Sequence, residues 1–332
     1  MAYAPAANLT SSAGLAHLQQ VYYTKKTLDI LRKKFVFREV CQHDSLPRRS
    51  GRTVQFFRYQ NLNSSSTQTV EGAPGTSQTY SSRIMTATVS QYSNFINVSD
   101  FLQKTAIDDQ LNAASDLLGY QAGLSVDTIT RAVIDAEQAS TNQTMASPSL
   151  LLKVADLRTS RSLLQGIDVQ PFEDNYFKVI AHPYVTYDLV NDPAAGGLAD
   201  IFKYTGPKDT ALVKYEDRGT VAVVAGCKVM ESTNVASSSG PGRWRVYVFG
   251  KGGVGCVDLE GSAPSEVRDP KKQAFNVNII RANGPSIPDP EGLIAGAVSY
   301  NFIFTTVVLE GPAGIGGSYR YKTMEAASSI AA

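Results

Sequence analysis

A strand and a helix meet at a proline in the stretch VIAHPYVTYDL, residues Val179–Leu189. The apolar run Phe177–Ala181 predicts a short buried strand, because such strands are brief and rich in β-branched and aromatic residues. His182 then ends the strand, and a short helix is expected after Pro183, since proline is tolerated in the first turn of a helix.

The segments that follow are mostly strand-like. The pattern predicts strands at Val221–Ala225, Lys228–Glu231, Val246–Phe249, Val254–Leu259, Phe275–Ile280 and Leu293–Leu309. The last run has no charged residue, but its Ser, Asn and Thr side chains and its many β-branched and aromatic residues favour a long buried strand over a membrane span. Residues Glu325–Ala332 are small and polar enough to be expected to fray.

The segments that precede the stretch contain the helices and a hairpin. Helices are predicted at Ser12–Lys34, Asp100–Ala139 and Ser149–Gln165, the last after a linker, Asn142–Pro148, and with Gly166 as its stop. Strands at Arg52–Tyr59 and Arg83–Val98 flank the polar segment Asn61–Ser82, which predicts a long hairpin with an extended tip. Since strands and helices do not alternate regularly, the fold class is α+β.

Composition and charge indicate a globular protein without a strong overall field. Its 332 residues are 43% hydrophobic and carry a net charge of +1, which fits one or two domains. Residues 1–60 nevertheless contain ten Lys/Arg against three acids, whereas residues 101–200 contain six against thirteen. These opposite charges fit either contacts between copies of the chain or two solvated faces of a monomer.

The cysteines and the first residues predict no cofactor, metal or export. Cys41, Cys227 and Cys256 lie far apart and have neither zinc-ligand nor disulfide-framework spacing. The first residues lack the basic stretch and apolar core of a secretory signal. We therefore expect synthesis in a reducing, intracellular compartment.

One glycine-rich segment offers a nucleotide-binding enzyme as an alternative. Gly250–Gly255, with the sequence GKGGVG, follows a strand as a phosphate-binding loop would. Cys256 and Val257 stand where such a loop needs its lysine and hydroxyl, and the next segment resembles a strand rather than a helix. A tight turn between strands is the simpler interpretation, and Gly311–Gly317 is also interpreted as a turn.

The histidines do not form a recognisable catalytic group. His17, His43 and His182 are each expected to be structural, and the neighbouring Cys41 and His43 lack any surrounding catalytic signature. Asp108 and Asp109 fit the start of a helix, where negative charge complements the helix dipole. The sequence therefore predicts no catalytic residue and no enzyme.

The order of these elements resembles a known family. A basic arm and helix, a long polar hairpin, a very long helix and a mixed α/β part with a long final strand are similar to the major capsid proteins of tailed bacteriophages and herpesviruses. The segments that carry the resemblance are Val179–Leu189, Gly219–Ala222, Ala225–Asn234 and Phe249–Leu259. The resemblance implies an N-arm and helix at 1–47, an extended loop at 48–98, a peripheral domain with a spine helix at 99–175, an axial domain at 176–270, and return strands with a tail at 271–332.

The resemblance also implies a function. Copies of the chain would form hexamers and pentamers of an icosahedral virion shell around double-stranded DNA, assembled in the host bacterial cytoplasm. Its implied partners are itself, portal and scaffolding proteins, a decoration protein, and packaged DNA through non-specific contacts, with no membrane.

Charge patterning suggests which residues join the copies. Basic residues of the arm and loop base are expected to pair with acids on neighbouring copies; the candidates are Lys25, Lys26, Arg32, Lys33, Lys34, Arg48, Arg49, Arg52 and Arg58 with Asp108, Asp109 and Asp116. A DNA-binding protein that uses the same basic arm is the first alternative, because such side chains neutralise phosphates.

Overall fold

A computed structural model describes residues 36–47, 49–59, 62, 64, 71–72, 77–107, 109–141, 145–192, 220–237, 242–259, 275–281, 294–309 and 319–330. The strands are β1 (Gln42–Leu46), β2 (Thr53–Tyr59), β3 (Ser82–Thr88), β4 (Ser90–Ser99), β5 (Met145–Leu151), β6 (Phe177–Ala181), β7 (Thr220–Val224), β8 (Cys227–Glu231), β9 (Arg243–Phe249), β10 (Val254–Leu259), β11 (Phe275–Arg281), β12 (Ile294–Val308) and β13 (Tyr321–Ala327). The helices are α1 (Asp100–Thr105), α2 (Gln110–Thr141), α3 (Val154–Gln165) and α4 (Pro183–Val190), and a 3₁₀ turn covers Phe37–Val40.

The first sheet is organised around β12. This strand pairs antiparallel with β4 along one edge and with β11 and β10 along the other, and β1 joins β10 in parallel. Alternate residues of β12, including Phe302 and Phe304, are buried in one core cluster with residues of α2 such as Leu118 and Val126. The long helix therefore covers one face of this sheet. Alternate residues of a strand and residues three or four apart in a helix each share one face, so these two faces can pack together.

The second sheet has the order β5-β13-β9-β6-β8-β7. The strand and helix predicted from Val179–Leu189 are confirmed as β6 and α4, near the middle of this sheet. Its core holds Val179, Val229 and Val248 together with Leu157 of α3 and Val185 of α4. The predicted strands between residues 221 and 309 are also confirmed, with ends that differ by a few residues.

A buried glycine turn connects the two sheets. It follows β9 of the second sheet and leads into β10 of the first. A Cβ atom on Gly250 would lie 2.2 Å from Cγ1 of Val169, and the Gly250 N–H donates to the Arg320 carbonyl at 2.9 Å. Glycine is needed here because the chain passes too close to its neighbours for a side chain.

The predicted helix over Asp100–Ala139 is two helices. Ala106 has an extended backbone with ψ 141°, and Ile107, expected on the apolar face, is exposed. The carboxylate of Asp109 accepts hydrogen bonds from the N–H groups of Leu111, at 3.1 Å, and Asn112, at 3.4 Å. An aspartate that caps a new helix in this way competes with continuation of the old one.

Three further boundaries differ because they depend on distant pairing. The helix predicted from Ser149 begins at Val154, and Met145–Leu151 is a strand parallel to β13 rather than a linker. The predicted fraying of residues 325–332 is wrong for Glu325–Ala327, which belong to β13 inside the second sheet. The strand predicted over Arg83–Val98 divides between β3 and β4, which pair with different partners.

Some predictions lie outside the described residues. These include the helix Ser12–Lys34, the turn Gly311–Gly317 and most of the hairpin tip Asn61–Ser82. Among the residues that are described, no helix is both long and apolar enough to cross a membrane.

Candidate subunit interface

The hairpin of β2 and β3 has an inner face that packs on the rest of the chain. The strands are antiparallel, from Thr53 opposite Thr88 to Tyr59 opposite Ser82. Phe56 and Ala87 on the inner face are buried in a cluster with Leu46, Val257 and Leu309. This cluster fixes the base of the hairpin against the first sheet.

Arg58 ties the inner face to the glycine turn. Its Nη2 donates to the carbonyl of Gly252, whose φ is +73°. A Cβ atom on Gly252 would lie 2.7 Å from the same nitrogen, so a larger residue would disturb this contact. The guanidinium predicted to face a neighbouring copy therefore has a hydrogen bond within its own chain.

The outer face of the hairpin is apolar toward its distal end. Phe57 lies directly opposite Ile84, and both are exposed, at 58% and 52%. Tyr59 and Tyr80 are 69% and 73% exposed, with ring centroids 6.0 Å apart. Three large exposed side chains on one strand pair, with Tyr80 just before β3, form the kind of surface that marks a contact with another molecule. We call Phe57, Tyr59, Tyr80 and Ile84 the outer patch.

A buried carboxylate on α2 binds the backbone of the first described residues, Val36 to Arg38. Asp127 is 1% exposed and accepts from the Val36 N–H at 2.9 Å and the Arg38 N–H at 3.4 Å. Burial raises the pKa of Asp127 to about 7, against the effect of these hydrogen bonds, which lower it. Asp127 thus fixes Val36 and Arg38 at a defined point on the long helix.

Other charged groups near this point are paired within the chain. Arg38 forms a salt bridge with Asp258, whose pKa burial raises and Arg38 lowers. Asp135 of α2 accepts from Arg245 at 2.9 Å and from the Tyr247 hydroxyl at 2.7 Å. Burial and the neighbouring carboxylate raise the pKa of Tyr247 far above its usual value. These contacts hold α2 on the second sheet.

The cysteine and the histidines considered for catalysis do not lie in the surroundings that a catalytic group needs. Burial raises the pKa of the Cys41 thiol well above its usual value, the opposite of what a nucleophile needs, and His43 is exposed on β1. The His182 ring stacks on Trp244 at 4.7 Å, and burial lowers its pKa. His17 lies outside the described residues. Within the described ranges, no group of three or more His, Cys, Asp or Glu side chains could hold a metal ion.

The glycine turn does not have the geometry of a phosphate-binding loop. Lys251 is exposed, with Nζ 3.5 Å from Oε1 of Glu173, and the chain continues directly into β10 instead of a helix. Gly252 and Gly253 are buried against Arg58 and Arg320. The enzyme alternative therefore loses the helix N-terminus on which phosphate binding at such loops depends.

Comparison with known proteins gives structural matches only. No family model and no curated protein match the sequence. The capsid of Ralstonia phage GP4 matches with a TM-score of 0.63 and 11% identity over 87% of each chain. The capsid of cyanophage P-SCSP1u matches with 0.58 and 15% identity over 89% of this chain and 88% of that one. The cyanophage Pam1 capsid matches with 0.57 and 13% identity, over 85% and 86%.

The chain has the tailed-phage major capsid protein fold. This confirms the α+β class and the fold that the resemblance implied. At these identities the matches establish the fold of the chain, so the division into five regions stays a prediction.

Twelve residues were predicted to form contacts between copies of the chain, and the structure describes five of them. Arg49 and Arg52 are exposed beside the hairpin, Arg58 binds Gly252, Asp109 caps α2 and Asp116 lies half-buried two turns further along that helix. The others, outside the described residues, are Lys25, Lys26, Arg32, Lys33, Lys34, Arg48 and Asp108.

The outer patch and Asp127 were not among the predicted site residues. Alternation along Arg52–Tyr59 could have indicated that Phe57 and Tyr59 share a face, since side chains in a strand repeat with a period of two. No local signal distinguishes the buried Asp127 from the exposed acids of the same segment.

Proposed function

We propose that this chain is a major capsid subunit that assembles into hexamers and pentamers of an icosahedral phage head enclosing double-stranded DNA. The fold shared with phage capsids supports this proposal. The observation within the chain that carries it is the outer patch, which presents four large apolar or aromatic side chains to the outside of the hairpin.

The two sheets and α2 would form the body of the subunit in the shell wall, and the hairpin would contact a neighbouring subunit. Covering the outer patch with a neighbouring chain would remove exposed apolar surface from water, at about 25 cal/mol per Å². Many copies make such contacts in a closed shell, so weak single contacts suffice. Portal, scaffolding and decoration proteins would be further partners, and the virion the final location.

Electron microscopy of the purified protein tests this function, with closed shells of uniform size as the expected result. The variant Phe57→Asp/Ile84→Asp should lose the shells, because it places two charges in the outer patch. The matched control is Gln55→Asp/Thr86→Asp, a directly opposed and exposed pair on the same face nearer the base of the hairpin. Shells from the first variant would contradict the role given to the outer patch.

The charge pairs between copies are a separate part of the proposal. Reversing the charge of Arg48 and Arg49 should weaken assembly and lower the salt concentration at which shells dissociate, if these residues meet acids such as Asp109 and Asp116 on neighbours. Unchanged assembly and salt resistance would overturn this pairing while leaving the outer patch intact.

A DNA-binding measurement on the free subunit distinguishes a capsid subunit from the alternative, a DNA-binding protein that uses the basic arm. A basic-arm DNA-binding protein would bind duplex DNA tightly as a monomer, with affinity that falls steeply as salt increases. Such binding without any particles would favour that function over a capsid subunit.

A further inference from the structure

His182 caps the start of α4 with both its backbone and its ring. It precedes Pro183 and has an extended backbone, with φ −74° and ψ 144°. Its carbonyl accepts from the N–H groups of Val185, at 2.9 Å, and Thr186, at 3.1 Å. The ring nitrogen Nδ1 accepts from the Tyr184 N–H at 3.3 Å. The ring therefore satisfies one of the backbone donors for which the first turn of a helix has no acceptor of its own.

This cap requires one protonation state of the ring. An imidazole nitrogen accepts a hydrogen bond when it carries no proton, and both nitrogens are donors in the charged ring. The cap is therefore made by neutral His182 with its proton on Nε2. A proton on Nδ1 would turn the acceptor into a donor that faces the N–H of Tyr184.

The ring of His182 packs against two aromatic side chains. It stacks on Trp244 of β9, with ring centroids 4.7 Å apart and planes 14° apart, and it lies edge-on to Tyr184 at 4.7 Å. Arg243 and Arg245, on either side of Trp244 in β9, share the other face of this strand, where Arg245 contacts α2. Because Trp244 is the only tryptophan of the chain, its fluorescence reports on this ring contact.

Two effects act on the charge of the ring in opposite directions. Burial disfavours the charged form and lowers the pKa of His182, and the carboxylate of Glu231, at the end of β8, raises it by a smaller amount. The cap therefore contributes to stability above the ordinary histidine pKa of 6.5, and this contribution is lost as pH falls through the lower value of the folded chain. Glu231 also accepts a hydrogen bond from the Thr186 hydroxyl of α4.

The capped turn also holds the end of β13. The Tyr184 carbonyl accepts from the Ser328 hydroxyl at 3.1 Å, and one turn further along α4 the Asp188 carboxylate accepts from the Ser329 N–H at 2.9 Å. The His182 ring therefore lies where α4 meets the last residues of the second sheet. A change in the first turn of α4 would reach these residues directly.

We propose that His182 is an acid-sensitive cap that controls the first turn of α4. At neutral pH the uncharged ring accepts from the Tyr184 N–H. In mild acid Nδ1 takes up a proton, the cap is lost, and the charged ring stays on the face of Trp244, where it is attracted to the indole and to Glu231. The first turn of α4 and its contact with Ser328 then loosen. The proposal concerns a single subunit, so it does not depend on shell formation.

Tryptophan fluorescence of the full chain, kept as dissociated subunits, tests the charge of the ring. Emission should fall reversibly as pH decreases from about 8 to 5, with a midpoint below 6.5, because a protonated imidazole in contact with an indole quenches its fluorescence. His182→Asn, which can still cap the helix, should lose this transition. The control His43→Asn, at an exposed position of β1, should keep it.

Both variants retain Asp127, which titrates in the same range, so the difference between them belongs to His182. Glu231→Gln keeps an acceptor for the Thr186 hydroxyl but removes the charge, and it should move the midpoint to lower pH. A transition that is absent from the wild type, unchanged in His182→Asn or unmoved in Glu231→Gln would overturn the proposal.

Two further measurements test the cap and its release. Nitrogen NMR of chain labelled at histidine should show Nδ1 of His182 without a proton at about pH 8. After correction for the intrinsic effect of pH, the Tyr184 amide should exchange about fivefold faster in acid, the factor that corresponds to a typical cap. This acceleration should be absent from His182→Asn. A proton on Nδ1 at the higher pH, or equal exchange at both, would overturn the proposal.

Discussion

The second sheet and the hairpin of β2 and β3 use the same kind of strand in opposite ways. In β6 four of the five residues are buried, and β9 buries its last four. In β2 only Phe56 is buried, and the aromatic residues on the other face are exposed. The second sheet is therefore stabilised from both faces by its own chain, whereas the hairpin is stabilised from one. Its outer face contributes to stability only when another surface covers it.

Truncating matched phenylalanines in the two regions gives the largest contrast. Phe249→Ala should lower the free energy of unfolding by about 3 to 5 kcal/mol, because it leaves a cavity beside Tyr247 and Tyr321. Phe57→Ala should change it by less than about 0.5 kcal/mol in the dissociated subunit. Urea denaturation measures both, and similar losses would show that the hairpin is stabilised as fully as the sheet.

The buried carboxylate of Asp127 should make stability depend on pH. Its pKa of about 7 in the folded chain exceeds the ordinary value of 3.8, so the folded state holds the proton more tightly. The contribution of Asp127 to the free energy of unfolding is then fully present below about pH 4 and falls as pH rises toward about 7, by roughly 2 to 3 kcal/mol between pH 5 and 8.

The variant Asp127→Asn isolates this effect, since its side chain does not titrate but can still accept a hydrogen bond from the Val36 N–H. Thermal or urea unfolding from pH 5 to 8 should show the fall in the wild type and lack it in the variant. Equal pH profiles would mean that Asp127 keeps an ordinary pKa in the folded chain.

The contact between α2 and the second sheet should depend on Asp135. Asp135→Ala leaves the Arg245 guanidinium and the Tyr247 hydroxyl without this acceptor and should cost about 2 kcal/mol, reduced from the buried-pair value because Arg245 is partly exposed. Urea denaturation measures the loss. The exposed cap residue Asp109, changed to alanine, should cost about 1 kcal/mol and serves as the comparison.

The outer patch should have the smallest effect on the free subunit. Tyr59→Ser should leave the thermal unfolding midpoint within about 2 °C of the wild type, because the ring is 69% exposed. The same variant should reduce the yield of shells under assembly conditions. A large fall in the midpoint would show that the ring packs within its own chain and is unavailable to a neighbour.

The sequence predicted the elements whose own residues form a clear local pattern. The strand and helix around Pro183, the pair Thr220–Val224 and Cys227–Glu231, and the strands on either side of the glycine turn were all found near their predicted positions. Their apolar runs and turn residues lie within a few positions of each other, so a local pattern contains the relevant information. The break between α1 and α2 was missed, although Asp109 is a recognisable cap.

The elements that were missed lack such a local pattern and depend on distant partners alone. β13 is a strand because it lies between β9 and β5, and β1 is a strand because it pairs with β10, more than 200 residues later. Propensity cannot reveal such pairing, since the pairing itself supplies the hydrogen bonds and burial that stabilise the strand.

The candidate interface divides in the same way. Alternation and helical periodicity are properties of the amino-acid order alone, and they were sufficient to indicate the α+β class. Association through the arm and hairpin, suggested by the uneven charge, stays a prediction. Which face of the hairpin is exposed, that Arg58 binds Gly252, and that Asp127 anchors the arm required the folded chain. Those roles follow from burial and from hydrogen bonds between residues as much as 194 positions apart. The order of amino acids does not show which distant residues lie close together in the folded chain.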